Sequence, residues 1–69
     1  MQVTATNKSH QAKVNRFIRW DEKYNALVDA EKDGTSAAWN AYDKAAECWE
    51  ELPKRERTNI AKHIDTTGY

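Results

Sequence analysis

From Ser36 to Leu52 the chain sets Trp39, Tyr42, Trp49 and Leu52 on one helical face with Ala38, Ala41, Ala45 and Ala46. At 100° per residue, with Ala38 at zero, the four large residues fall at about 100°, 40°, 20° and 320°, and the other alanines at about 300°, 340° and 80°. Rings beside alanines make a ridge with shallow gaps, which suits close packing against another helix, in this chain or in a partner. The run therefore commits the chain to helix-on-helix packing.

The rest of the sequence supplies the other helices. Asn7 or Ser9 can cap a first helix running over about 9–33, whose apolar stripe holds Val14, Phe17, Trp20, Tyr24, Leu27 and Val28. Gly34 stands where a left-handed residue would end it, and Thr35 or Ser36 can cap the second helix, over about 36–51. So short a link implies an antiparallel hairpin. Pro53 cannot continue the second helix but suits the start of a third, over about 53–64, which leans on the hairpin through Ile60, Ala61 and Ile64. Residues 1–8 are polar and aperiodic and read as a flexible arm, and 66–69 as a frayed tail. The expectation is an all-α fold, with 9–65 as a single three-helix domain.

Sixty-nine residues are close to the smallest size that one core can stabilise, and the aliphatic inventory is lean, with one Phe, three Ile, two Leu and three Val. Eleven bases balance eleven acids, so the large net charge of a disordered chain is missing. With so little core, burial of aromatic surface against a second chain would add stability, which makes a homodimer one expectation. Cys48 is the single cysteine, so no intrachain disulfide forms, and a reducing compartment fits. No apolar run approaches the roughly 18 residues of a membrane span and no signal-peptide pattern opens the chain. A soluble, cytoplasmic protein with no membrane partner is expected.

Zero net charge conceals a sandwich. Residues 1–20 hold Lys8, Lys13, Arg16 and Arg19 without an acid; residues 21–53 hold nine acids against Lys23, Lys32 and Lys44; residues 54–69 hold Lys54, Arg55, Arg57 and Lys62 against Glu56 and Asp65. Glu47, Glu50 and Glu51 crowd the C-terminal end of the second helix while Lys54 and Arg55 open the third, both against the helix dipole. Pairing across the Leu52-Pro53 turn would relieve this; otherwise one set faces a charged partner. Asp21 falls inside the apolar arc of the first helix, so either it sits at an edge with its oxygens in water or a base such as Arg57 reaches it.

No catalytic arrangement emerges. Cys48 has no histidine within helical reach, His10 and His63 lack a second ligand at metal spacing, and Gly34 and Gly68 make no phosphate loop. No catalytic residue, metal or cofactor is expected, and the chain is read as non-enzymatic. Arg16, Arg19 and Lys23 form a basic stripe opposite the core face of the first helix, and Arg55, Thr58, Asn59 and Lys62 form the outer face of the third. Such side chains reach phosphates and base edges.

The segment Trp49-Glu50-Glu51-Leu52-Pro53-Lys54-Arg55-Glu56-Arg57, with Ile60 and Ala61 after it, resembles in its packing pattern the turn between the second and third helices of HMG boxes. The resemblance covers about thirteen residues and implies minor-groove DNA binding. The sequence departs from that family in its short third helix, its acidic second helix and its lack of an apolar wedge.

The leading expectation is a small interaction protein that binds a protein partner and modulates or inhibits it, in the manner of phage- or plasmid-type regulators. Trp20 and Trp39, at the margins of their arcs, and Glu47, Glu50 and Glu51 are the expected contacts, whereas Trp49 and Tyr42, nearer the centre, are expected in the core. The alternative is a small nucleic-acid-binding regulator that uses Arg16, Arg19, Lys23, Arg55, Thr58, Asn59 and Lys62.

Overall fold

A computed structural model describes the backbone of residues 2–67 and the side chains of residues 2–64. Its helices are α1 (Gln11–Asp29), α2 (Ser36–Glu51) and α3 (Lys54–Thr67), with a 3-10 turn at Lys8–His10 leading into α1. No strand occurs among the described residues. α1 and α2 form the expected antiparallel hairpin, and α3 joins it through Ile60 and Ile64.

The helix ends show how local chemistry sets the boundaries. Asn7 opens the 3-10 turn, its Oδ1 accepting from the Ser9 N–H at 3.0 Å. α1 stops at Asp29 and does not reach residue 33. Glu31 adopts φ 59°, its N–H donates to the Val28 carbonyl at 2.9 Å, and the Lys32 N–H donates to the Leu27 carbonyl at 2.7 Å. That is a Schellman closure with glutamate in the left-handed position. Gly34, expected to hold that conformation, does not take it. Thr35 caps α2, its Oγ1 accepting from the Ala38 N–H at 3.3 Å. At the next corner Leu52 is extended, as a residue before proline should be, and the Pro53 carbonyl accepts from Glu56 and Arg57. α3 continues through Thr67, because nothing between Ile64 and Gly68 opposes a helix. Residues 66 and 67, expected in a frayed tail over 66–69, are the last of α3; residues 68–69 lie outside the described residues.

The buried line of α2 is Ala38, Ala41, Ala45, Cys48 and Leu52, spaced alternately three and four apart as in a coiled-coil seam. Small residues along it let α1 approach closely, so the seam is the centre of the face and the rings are displaced to its flank. Tyr42, expected in the core, is accordingly 52% exposed. Trp49 is half-buried, its ring 5.0 Å from that of Phe17. Trp39 is 61% exposed. Val14, Phe17 and Ile18 of α1 and Ile60 of α3 complete the core, together with Val3.

The segment expected as a flexible arm over 1–8 lies against the helices over its described residues 2–8, anchored by Val3. The Val3 side chain is 5% exposed, and the segment beside it is fastened at nearly every residue. The Gln11 side-chain amide donates to the Val3 carbonyl at 2.9 Å and accepts from the Ala5 N–H at 2.8 Å. Asn59 donates to the Thr4 carbonyl at 2.8 Å. A lean core recruits the arm because one more aliphatic side chain closes it.

Two outcomes test this packing. Glu31→Gly removes the steric cost of a left-handed residue and should raise unfolding stability by about 1 kcal/mol in urea titrations. Trp49→Ala should cost about 2–4 kcal/mol, while Trp39→Ala should stay within about 0.5 kcal/mol of the parent in thermal melts.

Candidate functional site

Three groupings bring chemistry-bearing side chains together: a carboxylate knot under the arm, an aromatic cleft along the hairpin and a basic cleft on α3.

The knot centres on Glu56, which the sequence reading did not single out. It stands one helical turn before Ile60 on the same edge of α3, and its side chain has no exposed surface. Its Oε1 accepts from the Thr6 N–H at 2.8 Å, and its Oε2 accepts from the Asn7 N–H at 3.2 Å and from His10 Nδ1 at 2.9 Å. Burial by itself pushes this carboxyl up. The Thr6 and Asn7 N–H groups and the His10 ring outweigh it and hold the pKa down at about 2, from an ordinary 4.5. No buried side-chain polar atom among the described residues lacks a partner. A carboxylate so fully engaged is a fastener for the arm and has no lone pair aimed at a substrate.

The charges at the α2–α3 corner are arranged differently from the expected pairing. Glu51 faces Arg16 at 3.6 Å and Glu47 faces Lys44 at 3.7 Å, so neither turns to Lys54 or Arg55. The relief at the end of α2 comes from Arg57, whose Nε donates to the Trp49 carbonyl at 3.0 Å and whose Nη2 donates to the Glu50 carbonyl at 2.9 Å. A guanidinium on the last carbonyls satisfies the helix end directly and opposes the acidic cluster. With Arg57 engaged there, the alternative of an Arg57 pair for Asp21 gives way to a half-buried Asp21 that accepts from Asn25 at 3.4 Å.

The aromatic cleft lies between α1 and α2 and encloses about 460 Å³. Phe17, Trp49 and Ile64 form one end; Tyr24 and Tyr42, with ring centroids 5.6 Å apart, form the other. Trp39 extends the row at 6.4 Å from Tyr42. Of the expected contacts, Trp39 and Glu50 belong to this surface, whereas Trp20 is half-buried against the core with Lys23 Nζ 5.0 Å above its ring.

The basic cleft, about 440 Å³, is lined by Thr6, Lys54, Arg55, Thr58, Asn59 and Lys62. The structure thus gathers the expected bases of α3 into one concavity. It does not bring the α1 stripe there: Arg16 meets Glu51 and Lys23 covers Trp20. Arg19 is exposed on α1.

Among the described residues no group of three His, Cys, Asp or Glu side chains is placed to hold a metal. No helix of the described residues is long and apolar enough to cross a membrane. Comparison with known proteins finds no match among family models, curated proteins or solved structures.

The knot predicts an acid response. A carboxyl held below its unfolded value contributes fully above about pH 5 and loses its contribution as the pH falls toward 2. Glu56→Gln should lower Tm at neutral pH by more than about 5 °C and flatten the dependence of Tm on pH in that window. Amide exchange at Thr6 and Asn7 should accelerate in the variant above about pH 5, where the parent's carboxylate is charged.

Proposed function

We propose that the chain is a small non-enzymatic interaction protein that docks a protein partner and modulates it by occupancy, as a regulator or inhibitor does. The observation that carries this reading is the exposure of Trp39 at 61% and Tyr42 at 52% in a chain with little apolar material to spare. Core closure uses alanines, one thiol, Phe17 and a few aliphatics, while the rings of Trp39 and Tyr42 stand in solvent along the cleft. Tryptophan and tyrosine concentrate binding energy at interfaces, where a rigid ring buries much area at little cost in conformational entropy. Folding does not require these rings outside, and Tyr24, Tyr42 and Trp39 form one contiguous row.

A nucleic-acid role is the second reading, supported by the α3 cleft, whose lining among the described residues holds three bases and no carboxylate. Phosphate contacts would make its affinity fall steeply with salt.

Affinity capture from host cells separates the two. The parent should retain a protein that the double variant Trp39→Ser, Tyr42→Ser loses by tenfold or more, and that protein should bind the purified parent alone. Equal retention by both chains would sink the protein reading. A salt-sensitive gel shift that disappears with Arg55→Ala, Lys62→Ala, and is untouched by the ring substitutions, would favour nucleic acid.

A further inference from the structure

Resting on the protein-partner reading, we infer that the aromatic cleft takes a cationic amphipathic helix of the partner, its apolar side chains on the cleft floor and its lysines or arginines at the rim. The floor is apolar, with Phe17, Ala45 and Trp49. The rim is acidic. Asp21 and Glu50 line the cleft, and Asp29 lines the adjoining one, which shares Asp21, Asn25 and Ile64 with it. Among the described residues no lysine, arginine or histidine lines either cleft. Arg57, behind the lining, is engaged by the Trp49 and Glu50 carbonyls, so the carboxylates of Asp21, Asp29 and Glu50 set the charge of these two clefts, which favours cations over polyanions.

The dimensions suit a helix. From Phe17 to Val28 the α1 wall is about 16 Å long, three turns, and the floor lies between two antiparallel helices, where a third can lay an apolar stripe. The chain's own basic surface is a poor occupant. It is itself a cleft, so a second copy would set one concavity against another, in a head-to-tail contact that does not close.

Two synthetic amphipathic peptides of about 14 residues test the inference, one of leucine and lysine and one of leucine and glutamate in the same pattern. Each is titrated into the ¹⁵N-labelled chain. The lysine peptide should shift the Trp49 indole and the amides of Tyr24, Tyr42 and Ala46, and Asp29→Asn with Glu50→Gln should weaken it about tenfold. Ala46→Glu is the decisive variant, because it adds negative charge together with bulk at a position that lines the cleft. Diffuse attraction predicts tighter binding; docking predicts at least about tenfold weaker binding. Tighter or unchanged binding by Ala46→Glu would overturn the inference, as would shifts scattered over acidic surface away from the cleft. An equal response to the glutamate peptide would overturn the cationic occupant while leaving docking through the rings intact. A chain that dimerises through the cleft in sedimentation, and then ignores both peptides, would replace the partner helix with a second copy.

Discussion

A charged carboxylate with no exposed surface is tolerable only if nearly every lone pair is met, and at Glu56 the donors come from the opposite end of the chain. This single constraint organises the molecule. Glu56 can sit beside Ile60 only while the N–H groups of Thr6 and Asn7 and the His10 ring face it, and those groups can face it only while the arm lies on the helices. Once the arm is down, Val3 enters the core, and Gln11 and Asn59 take up the Val3 and Thr4 carbonyls and the Ala5 N–H. An apolar residue at position 56 would remove the desolvation cost but orphan two backbone donors, so the carboxylate selects one placement of the arm.

The second organising choice is the alanine seam of α2. Its closeness to α1 is what turns the aromatic residues aside, and this explains which parts of the fold were legible in the sequence. Periodicity, capping residues and Pro53 located the hairpin and the third helix, because each acts within a turn or two of chain. Tyr42 was misplaced because weighting a face by ring size puts its centre near the aromatics, whereas helices approach along the line of smallest side chains, Ala38, Ala41 and Ala45. The left-handed end of α1 was assigned to Gly34 on residue preference, while the Schellman bonds selected Glu31. Glu56 left one trace, its register with Ile60 and Ile64. Recognising it as buried required knowing that the arm supplies donors some fifty residues away in sequence, and no local pattern encodes that.

Charge shows the same division between local and distant information. The basic, acidic and basic thirds of the sequence predict segregation, and the structure carries it into two concavities of opposite sign. Which bases share a concavity was not legible. Arg16 and Lys23 are drawn off to Glu51 and Trp20, so the stripe on α1 and the cleft on α3 do not form one continuous basic surface. A molecule of zero net charge can thus still present strong and opposite local fields, which is the property a selective docking surface needs.

The docking of the arm also sets the order of events during synthesis. Thr6 and Asn7 leave the ribosome long before Glu56, and the Thr6 contact to it spans 50 residues of chain. At roughly 5–20 residues per second, synthesis separates the arm from its acceptor by about 3–10 seconds. The hairpin can form in that interval from contacts close in sequence, but the core closes only after α3 has emerged. Until α3 docks the chain is a hairpin with an open flank, and Glu56 and Ile60 of that helix are what seal it.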